Sequence, residues 1–350
     1  MAIEKIRVGI IGAGANTCQK HIPRLQNIEG VEILEVANRS TASAQRVADK
    51  FQIPTVRSHW QDVATSENID AVLIGTWPYL HCEATCLALK SGKHVLCEAR
   101  MAMDEAEART MLKASYDHPN SVAQLVPSPF TLRADQTILE FIDQNMLGKP
   151  LHFQFNFHSS VLTPPSDSLH WRRNKKYSGT NIMVLGIIYE SLLRWFGPAN
   201  SVNAQARFIT QRALDPDSGS EAEIEIPDFL TVQMEMRNGM LGSLSMSEQD
   251  LHADPPHIKI FGNEGVLYYE FKVDGKLLYG SKNDSEMKEV SISPEKEGRW
   301  RVEEEFVQAI RGQEEIEYTT FTTGVEYMKF TEAVNNSFRN DGESTIIPMG

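Results

Sequence analysis

Arg7-Val8-Gly9-Ile10-Ile11-Gly12-Ala13-Gly14-Ala15-Asn16-Thr17 decides how the first third of this chain folds. The apolar run Val8–Ile11 reads as a buried parallel strand that breaks at once into glycines. Gly12 permits a tight turn, and Gly14 lets backbone N–H groups come close to a pyrophosphate at the positive end of the next helix. Ala13, Ala15 and Asn16 complete the loop, while Thr17 stands where a third glycine is usual. A second strand at Val31–Ala37 follows an amphipathic segment carrying Cys18, Ile22, Leu25 and Ile28. This strand–turn–helix–strand order predicts a dinucleotide-binding unit.

Outward from that stretch the alternation repeats. Ile69–Thr76 and His94–Glu98 read as further buried strands, with helices over Ala42–Phe51, Cys82–Ser91 and Asp104–Ser115. Ser121–Val126 closes the set. Such alternation predicts a doubly wound parallel sheet, with ligands beyond the carboxyl ends of its strands. The loops after Thr17, Asn38, Thr76 and Glu98 should then face one crevice. The second strand ends in Asn38-Arg39-Ser40 where NAD-binding chains commonly carry a carboxylate. Neutral Asn38 would not repel a 2′-phosphate, Arg39 could pair with one, and Ser40 adds a hydroxyl, so the set favours NADP over NAD. The alternative is a turn that merely opens the next helix.

Val126-Pro127-Ser128-Pro129 marks a hinge, dividing the chain into a unit over 1–126 and another over 127–350. In His152-Phe153-Gln154-Phe155-Asn156-Phe157-His158 the phenylalanines alternate with polar residues, giving a strand with one buried face. Leu230–Arg237 alternates similarly and enters Asn238-Gly239, a hairpin-turn dipeptide. The second unit is therefore expected to be α+β, an antiparallel-rich open sheet with helices on one face. Asp215–Asp228 holds six acids and no base and reads as a solvated loop. Trp300–Ile310 and Val325–Phe338 read as amphipathic helices.

A net charge of −13 works against nucleic acid or anionic membrane as partners. The start, Met1 to Ile6, lacks the features of a signal peptide, and no apolar run approaches the roughly 18 residues of a membrane span. Four cysteines without a ligand cluster predict reduced thiols, no metal and a cytoplasmic setting. The polar face His152, Gln154, Asn156, His158 predicts subunit contact, in a homodimer or homotetramer.

The chain resembles the Gfo/Idh/MocA oxidoreductases, named for glucose–fructose oxidoreductase and inositol dehydrogenase. Gly9–Gly14 resembles that family's cofactor loop. Asp70-Ala71-Val72-Leu73-Ile74-Gly75-Thr76-Trp77-Pro78-Tyr79-Leu80-His81 resembles its "ATP-x-x-x-H" strand end. Leu89–Glu98 resembles "GKHVLCEKP", and Ser178-Gly179 through Trp195-Phe196-Gly197 resembles its later helix motif. The resemblance implies a Rossmann domain, NAD or NADP as cofactor, and hydride transfer to or from a hydroxyl-bearing carbon of a sugar-like or polyol substrate. It places Thr76, Trp77, His81 and Glu98 at the cofactor.

The same alignment puts Ala99 at the usual catalytic lysine, with Val184, Ile188 and Ser191 at the helix's carboxylate, histidine and final aspartate. Taking a hydride from an alcohol requires a group to accept the hydroxyl proton. The candidates are Arg100, as a fixed cation rather than a base, then Glu190, Tyr189 and His81. Each has a structural alternative: an ion pair for Arg100, an i,i+4 pair with Arg194 for Glu190, core packing for Tyr189, and helix capping for His81. The basic loop His170-Trp171-Arg172-Arg173-Asn174-Lys175-Lys176-Tyr177 could draw an anionic substrate. Two other activities stay open: a redox-silent nucleotide-binding protein, and a lyase or hydrolase using transient oxidation by tightly held NAD(P).

Overall fold

The computed structural model describes residues 5–162 and 168–349, so most of the Met1–Ile6 start lies outside the described residues. The chain forms two compact units, one of Met1–Pro127 with Arg301–Met328 and the other of Ser128–Trp300 with Lys329–Gly350.

Unit 1 is built on six parallel strands in the order β3-β2-β1-β4-β5-β6. They are β1 (Ile6–Ile11), β2 (Val31–Ala37), β3 (Thr55–Val56), β4 (Ala71–Ile74), β5 (His94–Cys97) and β6 (Ala123–Leu125). The central strands have almost no polar residues because helices cover both faces, and β4 is buried at every position. Those helices are α1 (Ile22–Gln26), α2 (Thr41–Phe51), α3 (Trp60–Ala64), α4 (His81–Lys90) and α5 (Glu105–Asp117). Asp104 caps α5, accepting from Glu107 N–H at 2.9 Å. The strand order reverses between β1 and β4, where a doubly wound sheet opens its crevice.

A contiguous division at 126/127 assigns 301–328 to the second unit, whereas the structure returns them to the first. Helix α9 (Val302–Ile310) and the start of α10 (Phe321–Arg339) supply the contacts. The Tyr327 hydroxyl accepts from Met101 N–H at 2.6 Å, Leu125 N–H donates to the Thr319 carbonyl at 3.0 Å, and buried Glu305 accepts from Gln124.

Unit 2 holds a nine-stranded sheet in the order β16-β15-β14-β13-β7-β12-β11-β8-β17. Its strands are β7 (Pro150–His158), β8 (Ala199–Arg207), β11 (Phe229–Met236), β12 (Leu241–Ser247), β13 (His257–Gly262), β14 (Gly265–Glu270), β15 (Leu277–Ser281), β16 (Lys288–Glu289) and β17 (Thr345–Ile346). All neighbours run antiparallel except β7 and β12. Phe153 and Phe155 point into the core as the alternation requires, and Phe153 stacks on Phe196 at 5.1 Å. On the opposite face His152 stacks on Phe261, and His158 lies between Ser245 Oγ (2.8 Å) and Asp250 Oδ2 (2.5 Å). The helices of this unit are α6 (Asp135–Asp143), α7 (Lys175–Ser178), α8 (Leu185–Phe196) and the rest of α10.

The acidic stretch is not simply a loop. β9 (Arg212–Asp215) and β10 (Ser220–Glu223) pair as a hairpin, turning through Gly219 at φ +67°. Ala213 and Ile224 bury against Leu169, so the inward positions are apolar although the outward ones carry charge.

Candidate functional site in the nucleotide cleft

A cleft of about 320 Å³ opens at the carboxyl ends of β1, β2 and β4, lined by Gly12, Ala13, Gly14, Asn38, Arg39, Ser43, Trp60, Thr76, Trp77 and Tyr79 among others. Its floor is the glycine turn. Gly12 sits at φ +85°, and a Cβ there would lie 2.8 Å from Thr76 N, so only glycine fits. Its N–H donates to the Ala37 carbonyl at 2.8 Å, tying the turn to β2. Thr17 fits at the third-glycine place because Gly75 leaves room: a Cβ on Gly75 would lie 2.1 Å from Thr17 Oγ1. The Thr17 hydroxyl donates instead to the Gly12 carbonyl at 3.2 Å. The helix begins here as a π turn over Thr17–His21 before continuing as α1.

Gly14 differs from both. An added Cβ would meet only the Gly75 carbonyl oxygen, at 4.0 Å, so packing does not require glycine here. The space above it is open to the cleft. Thr76 also lines the cleft, and its hydroxyl is buried with no hydrogen-bond partner among the described residues. A bare backbone at a helix start and a waiting hydroxyl suit a diphosphate-containing ligand. The residues therefore fit a dinucleotide.

The other positions expected at the cofactor divide into groups. Asn38 Oδ1 accepts from Ala13 N–H at 2.6 Å, so its carboxamide braces the glycine turn. The Ser40 hydroxyl accepts from Ser43 N–H at 3.3 Å and caps α2, the role a plain helix opening would give it. Arg39 is exposed, its guanidinium 5.6 Å from the Trp77 ring centroid at the cleft wall. Ala15 and Asn16 are exposed on the loop, and Asn16 reaches Glu98 with its amide.

His81 is fully buried, with both ring nitrogens facing backbone carbonyls. Its Nδ1 lies 2.9 Å from the Arg100 carbonyl and 3.2 Å from that of Met101, and Nε2 lies 3.1 Å from the Thr76 carbonyl. Burial pushes its pKa down. The ring thus ties the end of β4 to the loop after β5. Arg100 itself is 2% exposed and follows a cis peptide bond from Ala99.

Glu98 closes the group with two residues that sequence reading did not single out, His21 and Glu303. His21 is fully buried; its Nε2 lies 2.9 Å from Glu98 Oε1 and its Nδ1 2.7 Å from Glu303 Oε1. Burial lowers the His21 pKa, but the two carboxylates outweigh it and raise it to about 9. Burial likewise pushes the Glu98 carboxyl up, and His21, Asn16 and the Ala99 N–H together hold it below the ordinary range. The available signal was positional: His21 falls one helical turn after Thr17, on the same inward side.

In unit 2, Glu190 and Tyr189 of α8 are both 1% exposed. Glu190 Oε1 pairs with Arg194 Nη1 at 2.5 Å, and Oε2 accepts from Ser128 N–H at 2.9 Å. Arg194 also meets Asp135 at 3.1 Å, and Asp135 accepts from Trp195 Nε1 at 2.9 Å. The Tyr189 hydroxyl accepts from Ala199 N–H at 2.7 Å while its ring stacks on Phe330 at 3.6 Å. These contacts correct the expectation of an available acid or donor: both side chains are bound into the packing of their own unit. Ile188 and Ser191 are likewise buried, with Val184 just ahead of the helix. Of the basic loop, Arg173 is buried against Asp228 at 3.0 Å, and Arg172 lies over Trp171 at 4.4 Å.

A six-stranded sheet in this order, with a glycine turn open at its switch point and a second open-sheet unit, defines the class of NAD-binding Rossmann oxidoreductases. Models of one family match both units: "Oxidoreductase family, NAD-binding Rossmann fold" over residues 6–124, and its C-terminal domain over 136–268. The chain belongs to the Gfo/Idh/MocA family. The inositol 2-dehydrogenase/D-chiro-inositol 3-dehydrogenase of Shouchella clausii is 27% identical over 270 residues, covering 68% of this chain and 76% of its own. The levoglucosan dehydrogenase of Pseudarthrobacter phenanthrenivorans is 22% identical over 268 residues, covering 71% and 67%. A levoglucosan dehydrogenase solved with NADH and L-sorbose shares the fold with a TM-score of 0.84 at 19% identity, covering 98% of this chain and 99% of its own.

Proposed function

We propose that the protein is an NADP(H)-preferring oxidoreductase acting on a sugar-like or polyol hydroxyl or ketone, with proton handling unlike its family's. Arg39 carries the cofactor preference. It stands at the cleft wall over Trp77, beside the neutral Asn38 and the start of α2, where a 2′-phosphate would meet a cation, a hydroxyl and a helix N-terminus. The glycine turn would take the diphosphate, and Glu98 would accept from a nucleotide hydroxyl. When bound, the nicotinamide supplies or receives hydride. The substrate class follows from the relatives, whose names specify inositols and levoglucosan.

For the proton, Arg100 is the candidate we retain, as a fixed cation that stabilises a developing alkoxide. His81 acts by positioning the Arg100 loop, and Glu190 and Tyr189 by holding α8. We further propose that the polar sheet face of His152, Gln154, Asn156 and His158 joins copies into a homo-oligomer. Titration with NADP(H) and NAD(H), before and after Arg39→Ala, tests the cofactor assignment: the NADP(H) Kd should rise much more than the NAD(H) Kd. Equal effects would overturn it. The sealed environment of Glu190 and Tyr189 favours a second reading, a nucleotide-binding protein without turnover. NADPH formation on a panel of sugars and polyols supports the enzyme, whereas binding without turnover on every member supports the alternative.

A further inference from the structure

His21 has no part in the proposal above, yet it is among the most constrained side chains of unit 1. Two segments distant in the chain close on its ring, Glu98 from the loop after β5 and Glu303 from α9, and Asn16 of the neighbouring glycine turn lies beside it. A neutral imidazole carries one N–H, and a carboxylate oxygen cannot donate. With carboxylate oxygens 2.7 and 2.9 Å from its two nitrogens, the ring satisfies both only as an imidazolium. The cation also lets two carboxylates lie close together out of water, where they would otherwise repel. Glu98 is held on both sides, its Oε1 accepting from His21 and the Asn16 amide and its Oε2 from Ala99 N–H at 3.1 Å. A side chain so fastened keeps one orientation.

We infer that His21 is a positioning residue for the nucleotide: clamped as a cation by Glu303, it holds Glu98 ionised and oriented to accept a hydroxyl of a pyridine nucleotide. This rests on the nucleotide-binding reading. Glu303 meets the ring at Nδ1, the nitrogen turned away from Glu98, so its effect on Glu98 would pass through His21. A role confined to stapling α9 would change stability alone and leave nucleotide affinity indifferent to the proton.

The test follows NADPH affinity by fluorescence from pH 6.5 to 10, with the ring nitrogens of His21 observed by 15N NMR in the same protein. In the wild type the ring should carry both protons at pH 7.5. The NADPH Kd should stay level to pH 8 and then rise at least fivefold through a midpoint near 9, where His21 titrates. Glu303→Gln should move that midpoint down by a pH unit or more, and His21→Gln should abolish it. A ring that is neutral at pH 7.5 overturns the inference, as does a midpoint that Glu303→Gln leaves in place. Should His21→Gln fail to fold, the Glu303→Gln midpoint and the wild-type ring titration still decide. Wild type that binds no nucleotide at pH 7.5 overturns the nucleotide reading as well, whereas binding indifferent to Glu303→Gln overturns this inference alone.

Discussion

The glycine turn of unit 1 and helix α8 of unit 2 both bring polar groups out of water, and they treat them in opposite ways. Around the turn the matching is incomplete: the Thr76 hydroxyl has no partner among the described residues, and the backbone at Gly14 faces open space. Along α8 the carboxylate and the hydroxyls are matched: both Glu190 oxygens are bound, the Tyr189 hydroxyl accepts a backbone N–H, and the Ser191 hydroxyl meets Thr131 at 3.1 Å. Buried polar groups in a folded protein are nearly all hydrogen-bonded, so unmatched ones point to a ligand and matched ones to packing. Residue type alone does not tell these apart. A glutamate in an apolar helix looks like an acid with a shifted pKa until its partners are seen.

The comparison breaks most visibly at Glu190. Glu190→Ala leaves the Ser128 N–H without its acceptor and Arg194 with Asp135 as its one remaining carboxylate among those described, and should cost about 3 kcal/mol, the low end for removing one partner of a buried ion pair. Urea unfolding measures this. If Glu190→Gln instead kept full stability while abolishing turnover, the packing role assigned here would fall.

Next in size are the two glycines. Gly12→Ala puts a side chain at φ +85° against Thr76, with strain of about 1–2 kcal/mol plus the clash, so Tm and nucleotide affinity should fall together. Gly14→Ala should leave stability within about 0.5 kcal/mol, because the new methyl would meet only the Gly75 carbonyl oxygen, at an ordinary 4.0 Å. It should still weaken NADPH binding tenfold or more, about 1.4 kcal/mol by calorimetry. Unchanged binding would mean that the open space over Gly14 is not the diphosphate site.

A smaller effect concerns Glu35, buried at β2 and bound by Arg57 at 2.7 Å and Ser66 at 2.8 Å. Burial raises its pKa, but these partners outweigh it and bring it below 4.5. Its contribution is therefore present above about pH 4.5 and lost as pH falls through the lower folded-state value. Glu35→Gln should cost about 1–3 kcal/mol at pH 7 and progressively less in acid, measured by thermal melts across pH. Least of all, Trp77→Leu removes the ring under Arg39, an exposed cation–π contact of about 0.5–1 kcal/mol. NADP(H) affinity should drop two- to fivefold, with NAD(H) nearly unaffected.

Much of unit 1 was legible because its signals are local. An apolar run breaking into glycines, repeated at helix-length intervals, leaves few alternatives to a parallel sheet, and Gly12 and Gly14 sit where that pattern places them. Helix α8 was legible as a buried element, although its partners were not: Asp135 and Ser128 lie about 60 residues upstream, and nothing in the helix points to them. His21 escaped notice for the same reason, since one of its carboxylates is 282 residues away. The β9–β10 hairpin escaped for a different one. Its outward charges dominate the composition, and only the spacing of Ala213, Ala222 and Ile224 against Leu169 shows an inward face.

The return of residues 301–328 to the first unit bears on how the protein is made. A ribosome that has released Pro127 has delivered every strand of the six-stranded sheet, but not the oxygen that pairs His21 at Nδ1, the acceptor of Met101 N–H, or Glu305 behind Gln124. Those arrive only after all of residues 128–300 have emerged. A nascent or truncated product ending at the proline hinge would therefore hold the glycine turn on an unfinished base, and limited proteolysis of such fragments should cut it far faster than the full chain.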